Sequence, residues 1–483
     1  MGEGMKKRGS LARCWFHWVI TVSLSILLAS GGLFCDTAAA AEMPMVRVEI
    51  TQTADAQGNR KAVSAVDFAL RNNYLVSGTQ VLLTGLRDSG AAYRVVLNAD
   101  GSLRLLERNT GQVLVERASL IRLVPQDAAK ADNLVDVKRY QQGMLYPANP
   151  YRHVMEFQVA PRDGSPSVVM INEIDIERYL WGVVPREMSN SWPLEALKAQ
   201  AVAARTYALT HMNNLRSPQG YINDTTSYQV YGGVQVEGGN ATRAVNETAG
   251  QVLTYNGQPI TAWFSSSNGG YTELAENVWS NPVPYLRSQP DPFDLGSANA
   301  NREWSVFMTQ EKLRQSLQAK GYAIGPVQNL TPTRLAPSGR VMEMEVLGAD
   351  GTKVVLFKEA NRTAFGLKSS LFTVRRTQES GEVSILSASD KQRVSLDGKQ
   401  VLAAGLVTPV GLAGTSFKAV GETGQKVEVG LAVQGFAFDG KGWGHGVGMS
   451  QYGAYHRAKE GQNYRQILGF YFPGTSLTGS YNR

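Results

Sequence analysis

Glu187 sits in the stretch whose residue types best suit acid–base chemistry. It lies in Pro185-Arg186-Glu187-Met188-Ser189-Asn190-Ser191-Trp192-Pro193, with Trp181 just upstream. A carboxyl beside apolar rings is poorly solvated when charged, so its pKa rises. A raised carboxyl can protonate a leaving oxygen at neutral pH. The same spacing also suits an exposed glutamate near a helix N-terminus, where negative charge is favoured. Both readings are open on spacing alone. Downstream, Gln200 and Arg205 stand among alanines. Such residues either face water or are paired, so Arg205 holds a substrate oxygen or carboxylate, or closes a structural salt bridge.

Other constellations exclude more than they assign. Gly442-Trp443-Gly444-His445-Gly446-Val447-Gly448 is glycine-rich, but Met449-Ser450 follows where a phosphate cradle needs Lys and Ser/Thr. Its glycines fit close backbone packing or the approach of a ligand. His445 either binds substrate or is a hydrogen-bonded core histidine. Ser265-Ser266-Ser267 lacks the G-x-S-x-G elbow of a serine hydrolase. Past the N-terminal leader the histidines are His153, His211, His445 and His456, with no HExxH spacing. Both cysteines, Cys14 and Cys35, lie in that leader. A mature chain would therefore have no disulfide, cysteine nucleophile, cysteine zinc site or iron–sulfur cluster. No metal and no cofactor is expected. All six tryptophans beyond the leader fall between Trp181 and Trp443. They could stack on sugar rings or fill a core.

These residues need elements to hold them. Ile171–Ile176 reads as a strand and Pro185–Pro193 as a loop. A helix follows Pro193, with Leu194, Leu197, Ala201, Ala204 and Ala208 on one stripe. Val252–Tyr255 and Ile260–Phe264 flank Asn256-Gly257, the signal of a type I′ hairpin. A second helix is predicted over 310–320, capped by Thr309, with Leu313 and Leu317 inside and Gly321 as its stop. Near the C-terminus Asn463 caps a helix with Gln466 at its third position. That helix presents Tyr464, Ile467, Leu468 and Tyr471, and Pro473-Gly474 ends it. Residues 42 to about 165 read as β. Val46, Val48 and Ile50 alternate with polar residues, and Tyr93–Leu97 and Leu103–Leu106 flank Asp100-Gly101. Pro161–Ser167 reads as a linker or long turn, and 377–382 as another. Residues 383–435 are β-rich, and no internal repeat is detectable.

The chain has 483 residues, of which 43% are hydrophobic and 18% charged. That is globular composition for two to four domains at ~150 residues each, and it excludes a disordered tail or a polytopic membrane protein. A basic head (Lys6, Lys7, Arg8, Arg13) precedes a charge-free run from Cys14 to Cys35, then Ala38–Ala41. This reads as an export signal cut after Ala41. The run also approaches the ~20 residues of a spanning helix, so an uncleaved anchor at 14–35 stays open. Phe34 before Cys35 argues against a lipoprotein. Loss of a leader with four basic and two acidic residues would take the net charge from +7 to +5. No basic run interleaves with aromatics, which argues against nucleic acid.

Several blocks, in order, resemble the SpoIID/LytB family of stage II sporulation protein D and the amidase enhancers. They are Tyr179-Leu-Trp-Gly-Val-Val-Pro-Arg-Glu-Met188, Trp192–Leu209, Gln229-Val-Tyr231, Phe264–Glu273 and Gly442–Ala454. The resemblance covers roughly residues 168–300, 303–375 and 436–476. It implies an α+β fold with a SpoIID-like catalytic region at 166–476; the β-rich N-terminal domain at 42–165 and a β-rich insertion at 377–435, both read from residue patterns, fall outside its clearest blocks. It implies lytic cleavage of peptidoglycan glycan strands, preferably stripped of stem peptides, and an exported protein of the cell envelope. Glu187 would be the catalytic acid. Gln200, Arg205, Gln229, Tyr231, Ser266, His445 and Gln451 would be substrate-contact or supporting candidates. Some members bind zinc through two cysteines near an Asp-Thr-Thr segment. Here Asn223 and Tyr228 flank Asp224-Thr225-Thr226, so no zinc is expected there. The family name also implies rivals: a non-enzymatic activator of a cell-wall amidase, or a wall-binding structural protein. The N-terminal domain is a candidate for binding wall polymer or a partner. A membrane is a partner only if the leader is retained.

Overall fold

The computed structural model describes residues 43–51, 62–85, 92–141, 144–162, 164–213, 220–279, 281–379, 433–479 and 481, and the strands of three hairpins between 382 and 430. The leader, with its cleavage and anchor alternatives, lies outside the described residues. Among the described residues no helix is long and apolar enough to cross a membrane. The fold is α+β, and its N-terminal part is β-rich.

That part is two antiparallel sheets packed face to face. One runs Met144–Arg152, Leu134–Gln141, Ala65–Arg71, Tyr93–Leu97, Leu103–Glu107 and Val113–Ala118 in spatial order. The other runs Met45–Ile50, Ser165–Asp175, Val154–Arg162, Leu120–Pro125, Tyr74–Val76 and Leu82–Leu83, with the short Ile222–Asn223 added parallel to Met45–Ile50 at its edge. Alternation dictates the facing. Val46, Val48 and Ile50 point inward, and Phe68 of the first sheet stacks on Phe157 of the second at 5.3 Å. On the second sheet's other face Arg47 and Arg122 pair with Glu156 and Glu173, while Arg162 pairs with Glu49. Pro161–Ser167, expected as a linker or long turn, is mostly paired strand: Ala160, Pro161 and Arg162 pair with Ser167, Pro166 and Ser165 at the end of a hairpin that begins at Val154↔Glu173. The core does not stop there: Val46 and Phe157 belong to the same apolar cluster as Leu180, Ala201 and Phe472. The textural change near residue 165 therefore falls at a hairpin turn and not between two cores.

The helices are α1 (Ile176–Glu187), α2 (Leu194–Asn213), α3 (Gly239–Glu247), α4 (Ala275–Val278), α5 (Gln310–Gln318), α6 (Ala360–Thr363), α7 (Gln451–Lys459) and α8 (Tyr464–Tyr471). The first shortens the loop expected at Pro185–Pro193 to residues 188–193. Ile176, Tyr179, Leu180, Val183 and Val184 recur at helical spacing and are buried, and Asp175 caps the start by accepting from Arg178 N at 3.0 Å. Pro185 removes one hydrogen bond near the helix end, which burial of that face outweighs. Glu187 is thus the last helical residue, and Met188 turns extended after it.

Helix α2 also departs from the expected single stripe. Residues 199–209 are buried without a break, because α1, α3, α7, α8 and the strand Val252–Tyr255 pack around it. Alanine side chains let neighbours approach from every side. Its arginine, Arg205, is fully buried and closes on Glu177 of α1 through Nε at 2.8 Å and Nη2 at 2.6 Å. Arg205 also donates to the carbonyls of Val245 and Gln251 at 3.2 Å. Tyr231 joins the sandwich to α1: its ring lies 5.2 Å from Tyr179 and 6.1 Å from Tyr151. Gly182 makes this fit, because a Cβ there would stand 2.5 Å from the Tyr231 ring. The hairpin at Asn256-Gly257 has φ of 50° and 76°, as a type I′ turn requires. Thr309 caps α5 through Lys312 N, and Asn463 and Gln466 form a reciprocal capping box on α8.

A second core is built by residues between 304 and 440. Trp304–Thr309, Val433–Gly440 and Phe372–Glu379 form one antiparallel sheet, and Val327–Leu335, Val341–Gly348 and Lys353–Phe357 another. Trp304, Leu313, Leu317, Met344, Phe365 and Phe438 fill the space between them. Three two-stranded hairpins lie between Phe372–Glu379 and Val433–Gly440, the segment read from sequence as β-rich.

Arg205→Ala should leave the buried Glu177 charge without its cation, held only by Gly250 N and the Tyr481 hydroxyl, a loss of up to about 3–5 kcal/mol, seen as a lower urea midpoint. An unchanged midpoint combined with weaker glycan binding would instead give Arg205 the substrate role that its sequence position allows.

Candidate functional site

Glu187 opens into a groove of about 440 Å³. One wall is Tyr207 of α2 with Thr226, Ser227, Tyr228 and Val230. The other is Trp263–Ser266, Trp279, Arg362, Trp443–His445 and Gln451. The Glu187 carboxyl is gripped at both oxygens. Oε1 accepts from Val230 N at 3.2 Å and Oε2 from Gln451 Nε2 at 3.2 Å. Burial pushes its pKa above the ordinary value of 4.5, although both donors and nearby Arg186 favour the anion. Among the described residues lining the groove, Glu187 is the sole carboxyl.

The loops that face Glu187 are aligned by backbone pairing. Phe264 and Ser265 pair in parallel with Met449 and Ser450, and Ser267 and Trp443 exchange backbone hydrogen bonds at 2.9 and 3.1 Å. Glycine is required for this approach. A Cβ on Gly448 would stand 2.1 Å from Trp263 O, and its φ is +72°. A Cβ on Gly442, at φ +79°, would stand 2.8 Å from Ser267 O. These glycines serve packing, the first of the two roles their spacing suggested. Ser450 caps α7 by accepting from Gly453 N at 3.0 Å, which points the next residue, Gln451, at Glu187. Beneath, Asp294 accepts from the hydroxyls of Ser267 and Ser450 and from Gly269 N. Burial pushes the Asp294 carboxyl upward too.

His445 is a neutral group here. Burial, reinforced by the guanidiniums of Arg362 and Arg340, pushes its pKa down to about 3. Its Nδ1 accepts from Val447 N at 3.1 Å, so the proton resides on Nε2. Trp263 and Trp279 stack at 5.0 Å, and Trp279 also lies 5.1 Å from His445. Trp279 and Trp443 are 38% and 50% exposed, so their faces are open to a ligand.

The structure divides the sequence candidates. Glu187, Ser266, His445 and Gln451 line the groove. Gln200 is fully buried behind it, its Oε1 accepting from Gln451 Nε2 at 3.5 Å. Arg205, Gln229 and Tyr231 do not line the groove, which leaves them the supporting alternative of their sequence reading. Arg205 is taken up by Glu177. Gln229 bridges the Tyr179 hydroxyl and Ala204 O, each at 3.2 Å. The Tyr231 hydroxyl donates to Asn172 at 2.9 Å. Buried polar groups need partners, and these find them inside the protein. Sequence reasoning did not single out Tyr207, Tyr228 and Arg362. The signal for the tryptophans was present in their clustering between Trp181 and Trp443. Beside Asp224-Thr225-Thr226, Asn223 Oδ1 accepts from Thr225 N at 3.1 Å, and Tyr228 meets the His211 ring at 5.9 Å. Among the described residues no three His, Cys, Asp or Glu side chains converge on a metal position.

Comparison with known proteins gives the lineage. A family model described as SpoIID, stage II sporulation protein, matches residues 165–255, and a domain of unknown function matches 293–399. The chain is 31% identical over 319 residues to an uncharacterized protein of Brachyspira hyodysenteriae, covering 66% of this chain and 70% of that one. The chain belongs to the SpoIID family. It is 29% identical over 325 residues to stage II sporulation protein D of Bacillus subtilis, covering 64% and 76% of the two chains. It is 35% identical over 306 residues to the amidase enhancer of Bacillus subtilis. That match covers 62% of this chain but spans only 40% of the amidase enhancer.

The electrostatics of Glu187 set a stability test. A carboxyl raised in the folded state opposes folding once the pH exceeds its unfolded value, and the penalty grows until the folded value is passed. Glu187→Gln removes that penalty. The urea midpoint of the variant minus that of the wild type should therefore increase from pH 4 to pH 7. A difference that is flat with pH would mean that the carboxyl is ordinarily hydrated.

Proposed function

We propose that this SpoIID-family protein is an exported peptidoglycan lytic transglycosylase with Glu187 as its one general acid and base. Family membership supports a cell-wall-associated role. The observation that carries the finer reading is the lone, poorly hydrated carboxyl in a groove walled by exposed tryptophans. Ordinary glycosidases need two carboxylates about 5–9.5 Å apart, one of them to activate water or to form a glycosyl ester. A groove with a single carboxyl among its described residues fits a reaction in which the substrate supplies its own nucleophile.

The steps balance around one proton. Protonated Glu187 donates to the oxygen bridging C1 of N-acetylmuramic acid and C4 of N-acetylglucosamine, and the C1–O bond breaks. The resulting carboxylate accepts the proton of the muramic C6 hydroxyl as O6 bonds to C1. The products are a free 4-hydroxyl and a 1,6-anhydro end, and Glu187 returns to its starting state. Dehydration keeps the acid protonated for the first half, while the Val230 and Gln451 donors steady the anion for the second. Trp279 and Trp443 offer flat apolar faces to sugar rings. Ser266 offers a hydroxyl beside neutral His445, whose ring also hydrogen-bonds the Phe264 backbone.

A second reading is favoured by one finding, the 35% identity to a protein named for enhancing an amidase. In that reading the groove binds glycan or an amidase without cleaving. Full-length protein is to be incubated with peptide-free glycan strands and the products weighed by mass spectrometry. Fragments with anhydro ends are expected, and Glu187→Gln should slow their release by about 10²–10⁴-fold. Absence of fragments, with faster hydrolysis by an added amidase, would replace the enzyme with the enhancer.

A further inference from the structure

The groove is electrically lopsided. On the His445 side lie cations that the proposed proton transfer does not use. Arg362, in α6, lines the groove and is 22% exposed. Its Nε donates to Glu359 Oε2 at 2.6 Å and its Nη1 to Lys368 O at 3.4 Å. Its Nη2 has no partner among the described residues. The Lys368 ammonium donates to Asn301 Oδ1 at 3.1 Å and lies 5.2 Å from the ring of Trp443, itself a groove residue. No carboxylate of the described residues pairs with Lys368. Arg340 is fully buried behind Gly446 and reaches Glu273 only at 3.9 Å. The positive field of Arg362 and Arg340 is strong enough to help keep His445 unprotonated. A neutral polymer gives these charges nothing to bind. A carboxylate would meet a guanidinium with a free NH₂ and a partly desolvated ammonium, the strongest class of hydrogen bond available to it.

We infer that Arg362 and Lys368 form an anion subsite beside Glu187 that takes a sugar-borne carboxylate, the lactyl carboxylate of a muramic residue. The assignment of the ligand rests on the transglycosylase reading. A muramic residue carrying a stem peptide has an uncharged amide at that position, and its carboxylates lie further out along the peptide. Selection of stripped strands then follows from charge at one sugar, not from the width of the groove. Arg362 and Lys368 are specificity residues, since the proton cycle at Glu187 is complete without them.

Binding separates this subsite from catalysis. Full-length Glu187→Gln protein is titrated with three preparations: peptide-free strands, the same strands with the carboxylate converted to a methylamide, and peptide-bearing strands. The free carboxylate should bind about tenfold more tightly than the methylamide, as expected for a hydrogen bond to a charged group. Adding Arg362→Gln or Lys368→Gln should bring that ratio towards one, and Arg362→Lys should keep part of it. Equal affinity for the first two preparations overturns the subsite. So does a ratio that survives Arg362→Gln, including the case in which both affinities fall together. Peptide-bearing strands that bind as tightly as free-carboxylate strands would transfer the ligand to the peptide and overturn the lactyl assignment. Discrimination by a wild-type protein that yields no anhydro ends would retain the subsite and sink the transglycosylase. Anhydro ends without discrimination would do the reverse.

Discussion

Glu187 must be kept from water and yet touched by two donors, and the rest of the structure answers to that constraint. The donors come from Val230 and Gln451, far apart in the chain from each other and from Glu187. No local motif could supply them. A carboxyl buried without partners would simply resist burial. One held by too many donors would be a permanent anion. Two donors leave it raised but titratable, the state in which one group can both give and take a proton.

Holding three segments together at that point calls for buried polar joints, and these run behind the groove and not in it. Asp294 fixes Ser267 and Ser450, which flank Ser266 and Gln451 on the groove wall. Asp291 accepts from Arg457 at 2.9 Å and from the Tyr471 hydroxyl at 2.6 Å, tying α7 to α8. Arg205 and Glu177 bind α2 to α1, the helix that ends in Glu187. Such pairs add little net stability over apolar packing, because desolvation offsets much of their attraction. What they supply is geometry: each accepts only one arrangement of its partners, and the acid and its donors are thereby set in register.

The sequence was legible where the information is local. The caps at Thr309 and Asn463, the Asn256-Gly257 turn and the strand alternation at Val46–Ile50 all depend on neighbours a few residues apart. The error at Pro185 arose from a local rule met by a stronger non-local term, since Val183 and Val184 bury a face that holds the last turn helical. The choice between substrate contact and support at Arg205, Gln229 and Tyr231 stayed open for a related reason. Sequence shows that a long polar side chain needs a partner, but not whether the partner is protein or ligand. Their partners, Glu177, Ala204 and Asn172, are reachable only once the helices and the sandwich are packed. Arg362 gave no signal at all, because nothing near it in sequence resembles a site.

That last residue bears on how the groove is divided along the chain. The stretch matched by the SpoIID model, 165–255, contains Glu187 and Val230 but not Gln451, His445 or any of Trp263, Trp279 and Trp443. Arg362 and Lys368 fall in the stretch matched by a domain of unknown function. The acid and the wall that faces it thus belong to different parts of the sequence: Trp263, Phe264 and the residues around Gln451 share the first hydrophobic core with α1, whereas Arg362 stands among residues of the second. In the proposed reading the first core fixes the proton donor, and the second, through Arg362, adds the charge that selects the ligand. Chemistry and selectivity would then vary independently, because a change of charge on α6 would leave the two hydrogen bonds at Glu187 undisturbed.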